Sequence, residues 1–120
     1  MRKAINLAEK LRQFSDQWSS KVIAQMNDYH IKLVRFQGEF VWHSHVNTDE
    51  VFLVLEGAMT IHLRNENVVL NSGELFVVPR GIEHKTSALQ ECKALLVEKA
   101  GTLNTGDRAD SRTALAHDWI

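Results

Sequence analysis

Between about residues 20 and 99 the chain is a succession of short β-branched and aromatic runs, with no helical periodicity between them. Lys21–Met26, His30–Phe36, Phe40–His45, Val51–Leu55, Met59–Leu63, Val68–Leu70, Leu75–Val78 and Ala94–Val97 read as strands. Between them stand Asn-Asp, Gln-Gly, Glu-Gly, Asn-Glu-Asn and Asn-Ser-Gly. These residues tolerate the left-handed backbone of a tight turn or bond their own backbone in one. Strands so closely spaced leave no room for a βαβ crossover, so the pattern predicts an all-β sandwich or barrel. At 120 residues the chain is one domain, expected to span 1–120 with its barrel core at about 20–100. A chain of this size buries enough surface to fold without disulfides. Cys92, the single cysteine, lies in an apolar run and reads as a small core side chain.

The two flanks differ from the middle. Over about residues 4–17, Ile5, Leu7, Ala8, Leu11 and Phe14 recur at helical spacing, with Asn6 as N-cap and Glu9 three residues later. The C-terminal tail, about 101–120, loses periodicity. It reads as a short helix over Ser111–Ala116 or a loose tail anchored by Trp119. In the middle, the VFLVL run at Val51–Leu55 is apolar on both faces, so its outer face needs a cover. A second copy of the chain is the expected one, giving a homodimer. Charge is nearly balanced, 14 Lys+Arg against 15 Asp+Glu, and no basic run marks a nucleic-acid surface. No apolar stretch reaches bilayer length, and the N-terminal residues lack the run of a secretion signal. The expected partner is a small molecule, with no nucleic acid and no membrane, in a soluble, cytoplasmic protein.

Chemistry concentrates in three of the six histidines and one glutamate. His43 and His45 lie two apart in FVWHSH, and on a strand that spacing puts both imidazoles on one face. Glu50 heads the next strand after a polar bend, and His84 follows Pro79-Arg80-Gly81 just past a strand end. Neutral imidazoles with one carboxylate suit iron, manganese, nickel, zinc or copper. The same parity puts Val41, Phe52 and Val54 on the ligand face as cavity walls, joined by Thr86 if the strand stays regular past His84. Trp42 falls on the opposite face. Arg80, Glu83 and Lys85 read as a solvated rim, and His30, His62 and His117 as surface or satisfied core residues.

With these residues the chain resembles the cupins. Gly38, His43-Ser44-His45, Glu50 and Gly57 follow their first motif; Gly73, Pro79-Arg80-Gly81 and His84 follow their second. The compact spacing is similar to small single-domain microbial cupins of the mannose-6-phosphate-isomerase-like type. Two positions depart: four residues instead of five separate Gly38 from His43, and Ala88 stands where the motif has asparagine. The resemblance implies a double-stranded β-helix, a jelly-roll barrel with a short N-terminal helix. It also implies one divalent transition metal ion (Fe, Mn, Ni or Zn) held by His43, His45, Glu50 and His84. The expected activity is that of a metal-dependent enzyme acting on a small oxygen-rich metabolite, of isomerase, lyase or dioxygenase type. The alternative is a non-catalytic module that binds a small molecule or metal. Arg80 and Lys85 are the only cations near the motifs, which weighs against a phosphosugar substrate.

Overall fold

The computed structural model describes residues 2–120. A short helix, α1 (Leu7–Leu11), precedes seven strands: β1 (Lys21–Met26), β2 (Tyr29–Glu39), β3 (Glu50–Glu56), β4 (Ala58–Leu63), β5 (Asn67–Asn71), β6 (Leu75–Val78) and β7 (His84–Lys99). Every pairing between these strands is antiparallel, and one path runs β1-β2-β7-β3-β6, with β4 paired to both β5 and β7. The all-β jelly-roll architecture follows from that connectivity. Among the described residues no helix is long and apolar enough to cross a membrane.

β7 is the spine of the barrel. Its first residues, His84–Ser87, pair with β4, while Lys93–Val97 pair with β3, and nearly its whole length runs beside β2. Register shifts fall between Phe36 and Gly38 and between Val54 and Glu56. Such bulges sharpen the bend and twist of a strand, which lets β7 curl around the barrel. Between β3 and β4 the chain turns at Gly57, whose φ is +91° and where a Cβ would come within 3.0 Å of the Glu91 carbonyl oxygen. Only glycine meets both conditions.

Alternation along the strands divides the apolar side chains into two layers. Inside lie Val34, Phe36, Phe52, Val54, Met59, Ile61, Leu70, Val78, Cys92, Ala94 and Leu96. Each buried Val, Leu, Ile, Phe or Met among them contributes about 1.5–3 kcal/mol of transfer free energy. Cys92 is an inert member of this core, its thiol pushed up to about 12 by burial. Outside, Leu11, Ile23 and Leu33 form a second cluster with Leu7, Phe14, Leu55, Leu95 and Ile120. The helix therefore covers one end of the outer face.

Three expectations change. The helix is five residues long, not fourteen: Asn6 caps it as expected, accepting from the Glu9 amide, but the Arg35 guanidinium takes the Leu11 carbonyl and the chain turns away. Phe40–His45 is not a strand, because only His43 finds a β-bridge partner. The tail forms no helix over Ser111–Ala116 and is not loose. Asn104 bonds the Trp18 and Arg112 carbonyls and the Ala114 amide, and Thr105 bonds Thr113. Trp119 anchors the end as a parallel bridge to Val22, reinforced by a 2.7 Å ion pair between Asp118 and Lys21.

Candidate metal centre

Backbone bonds bring the two histidine segments together. The His43 amide donates to the His84 carbonyl and the His84 amide to the His43 carbonyl, both at 2.9 Å. A further bond from the Gly81 amide to the His45 carbonyl, at 2.8 Å, fastens the second turn of the site. Glu50 enters from β3, opposite Val78 of β6. All four side chains are buried, and one donor atom from each lies within 4.8 Å of every other. An ion with bonds of about 2.1 Å holds its ligand atoms about 3–4 Å apart, so only a slight contraction would seat it.

Hydrogen bonding sets the tautomers. His43 Nδ1 donates to the Val41 carbonyl at 2.8 Å and His84 Nδ1 to the Ile82 carbonyl at 3.0 Å. That orients both rings and leaves Nε2 as the atom facing the cluster. Among the described residues, His45 Nε2, His84 Nε2 and Glu50 Oε1 are buried with no hydrogen-bond partner. Buried polar atoms normally have one. Three such atoms converging on one point suit an electron-pair acceptor, and the donor set fits a divalent transition metal ion.

Charges in the cluster are uneven. Burial, aided by the nearby His84, holds His43 down at about 4, so its ring is neutral. Burial also works against a proton on His84, but the carboxylate of Glu50, 3.4 Å away, outweighs it and raises His84. Burial opposes ionisation of Glu50, yet the polar neighbours Glu98, His45 and His84 outweigh it and hold Glu50 well below the usual carboxylate range. Glu98 moves the other way, pushed well up by burial and by the Glu50 charge.

A small cavity of about 40 Å³ adjoins the cluster, touching His43 and Glu50. Phe52 and Thr86 line it. Val41 and Val54 do not. Val41 lies where the strand was expected and is absent, so its parity fails, and its carbonyl serves the His43 ring. Val54 keeps the inward parity but sits four residues beyond Glu50, about 13 Å along a strand, and packs in the core. Trp42 faces away, with the Arg64 guanidinium 3.7 Å from its ring centroid. Glu83 and Lys85 are occupied by ion pairs, Glu83 with Arg64 and Arg108, Lys85 with Glu39. His30 is buried beside His117 and Trp119, and His62 bonds Ser87.

Sequence reasoning passed over Trp18, Phe36, Phe40, Lys32 and Glu98. Trp18 stacks on Phe40 at 4.6 Å and forms part of the cavity mouth with Asn104, both half-buried. Lys32 and Glu98 form a fully buried ion pair at 2.9 Å behind the cluster. Losing one partner of such a pair typically costs about 3–5 kcal/mol. A signal was present: both charges occupy inward positions of otherwise apolar strands, Lys32 between His30 and Val34, Glu98 after Ala94 and Leu96.

The tail grips the histidine segment from outside. Asp107 accepts from the Ser44 amide and donates its own amide to the Ser44 carbonyl, at 2.9 and 3.1 Å. Gly106, at φ +57°, lies so close that a Cβ would strike the Ser44 carbonyl oxygen and come within 3.0 Å of His43 Cδ2.

The family model described as a cupin domain matches residues 32–98. An uncharacterized Bacillus subtilis protein, YdbB, is 32% identical over 99 residues, covering 82% of this chain and 88% of the relative. A crystal structure of a cupin-2 domain containing protein from Shewanella frigidimarina is 50% identical with a TM-score of 0.78, covering 79% of this chain and 93% of that one. A Neisseria meningitidis protein of known structure is 26% identical with a TM-score of 0.75, covering 81% of this chain and 99% of its own.

Two outcomes are expected at this site. Gly106→Ala should weaken Zn²⁺ binding about tenfold, in the range seen when metal-supporting contacts are lost. Gly73→Ala, also at positive φ (+86°) but with nothing within 4 Å, should not; equal affinities in a competition titration would refute the clash. Second, a metal-bound His84 cannot keep the proton that Glu50 holds on it. Zn²⁺ affinity should therefore rise with pH above the ordinary imidazole value of about 6.5. Calorimetry in buffers of different ionisation heat should show more protons released at pH 6.5 than at pH 8.5.

Proposed function

The chain belongs to the cupin family, and on that premise we propose that it is a metal-dependent enzyme acting on a small oxygen-rich metabolite. The carrying observation is the convergence of three unpartnered, buried donor atoms, His45 Nε2, His84 Nε2 and Glu50 Oε1, with His43 beside them. When bound, a divalent ion would supply Lewis acidity or, for a redox-active metal, electron-transfer chemistry. The protein's own residues do the rest. His43 and His84 are held in the metal-binding tautomer by backbone carbonyls, Glu50 supplies the single negative charge, and Phe36, Phe40, Phe52 and Leu96 exclude water from the cavity. Thr86 and Ser20 add hydroxyls to its wall.

Of the reaction types open to such a centre, isomerisation, lyase chemistry and oxygenation remain candidates, and the cavity restricts the substrate more than the reaction. No Lys or Arg lines it, so nothing there would neutralise a phosphate. That favours a substrate without a phosphate group and weighs against the mannose-6-phosphate-isomerase-like assignment.

We also propose that the working unit is a homodimer. Two apolar rows cross the outer face, Val77–Val51–Val97–Ile31 and Leu75–Leu53–Leu95–Leu33. Helix α1 covers their Leu33 end, whereas Leu75 and Val77 at the other end are 59% and 42% exposed.

The metal assignment predicts that His45→Ala or His84→Ala sharply lowers metal content by elemental analysis, and equal content would sink it. Protein loaded with Fe²⁺, Mn²⁺, Ni²⁺ or Zn²⁺ should turn over in assays of dioxygen uptake or carbonyl isomerisation. Ligand-induced thermal stabilisation with no turnover under any metal would assign the protein as a binding module instead. In sedimentation at micromolar concentration the wild type should be a dimer and a Leu75→Lys/Val77→Glu variant a monomer; a monomeric wild type would refute the dimer.

A further inference from the structure

Between α1 and β1 the chain takes an unfavoured backbone at Trp18. Its φ is +63°, a region that bulky side chains rarely enter. Contacts on every side hold it there. The Trp18 amide donates to the Arg35 carbonyl at 2.9 Å, and its carbonyl accepts from Asn104 Nδ2 at 2.8 Å. Asn104 is itself fixed, donating to the Arg112 carbonyl and accepting from the Ala114 amide. The indole stacks on Phe40, with centroids 4.6 Å and planes 14° apart, and lies 4.9 Å from the Phe36 ring. Phe40 in turn meets the His43 ring edge-on at 5.6 Å. The stack runs from the surface to a metal ligand. Strained backbone that its surroundings over-determine is concentrated at sites that handle ligands.

The indole also has a place that a core residue would not need. Trp18 and Asn104 are half-buried, and every other residue that lines the cavity beside His43 and Glu50 is buried. A molecule that enters by this route therefore passes the indole. The cavity, about 40 Å³, has room for about three water-sized groups. We propose that Trp18 is the specificity-determining residue of the centre, a roof that admits only a compact apolar body of about three or four non-hydrogen atoms beyond the oxygens that bind the ion. This rests on the metal-centre reading above. Phe36, Phe40, Phe52 and Leu96 wall the space and no Lys or Arg lines it, so the body lodged there is short and apolar. The substrate class is a short-chain oxygen chelator. A six-carbon sugar, hydroxylated throughout, matches neither the size nor the walls.

The test uses Zn²⁺-loaded protein and two probes that bind zinc through the same pair of oxygens. Acetohydroxamate carries a methyl body and benzohydroxamate a phenyl body. In wild type, calorimetry should show a preference for acetohydroxamate of at least about tenfold. Trp18→Gly removes the indole and suits the positive φ, and the preference should vanish or reverse. Trp18→Leu keeps a smaller apolar plug and should give an intermediate ratio, which decides the matter if the glycine variant does not fold. The ratio cancels the general loss of stability or zinc affinity that a merely structural tryptophan would cause. Equal ratios in wild type and variants would overturn the proposal and favour an approach from the open hollow beside His45. Wild type that binds zinc but neither hydroxamate would overturn it too, leaving the metal centre standing. Wild type that binds no zinc would overturn the metal-centre reading itself, and this proposal with it.

Discussion

The reciprocal pair of backbone hydrogen bonds between His43 and His84 is the constraint on which the centre rests. Side-chain ligands alone would not hold two segments so remote in the chain at fixed distance without an ion. The backbone bridge does, and the Gly81–His45 bond extends it by one turn. The ring tautomers follow from carbonyls within the same segments, Val41 for His43 and Ile82 for His84. Each ring is thus set by a carbonyl two residues before it, so the local chain that delivers the ligand also aims it. The cost is three buried atoms without partners. A protein tolerates such orphans where another requirement outweighs local stability.

Much of the fold and of the donor set was legible in the sequence. Turn residues between short apolar runs mark the first six strands, whereas β7 was read only over Ala94–Val97 and extends back to His84; motif spacing picked out the four donors that meet around Glu50. Parity reasoning worked where strands are regular, as at Phe52 and Thr86, and failed where they are not. Val41 was misplaced because the segment before His43 carries a bridge rather than a ladder. The C-terminal tail was unreadable for a different reason. Its grip depends on Asn104, Thr105 and Asp107 bonding backbone and side chains far away, and such bonds leave no periodic trace. Lys32 and Glu98 were legible in principle, as charges at inward positions, but a two-residue alternation count treats each as an isolated exception.

The polar groups of the interior are not scattered. Glu50, Glu98 and Lys32 form one continuous chain from the metal ligands into β2, while the opposite walls of the cavity are aromatic. The barrel therefore has a polar floor and an apolar wall. The floor would set the surroundings of an ion held there, and the wall the shape of molecule that could approach it. Trp18, stacked on Phe40 with φ +63°, and Asn104, bonded to its carbonyl, make the boundary with solvent.

The curl of β7 bears on how the protein reaches its native state. His84 and Glu98 lie fourteen residues apart on one strand, about 46 Å if it were straight. Both nevertheless neighbour Glu50, because the strand wraps the barrel. Pairings with β2, β3 and β4 must all form before that wrap is complete, and contacts so distant in sequence repay their loop-closure entropy late. The donor cluster depends on all of those pairings, and uptake of an ion there would report a finished chain rather than a partly collapsed one.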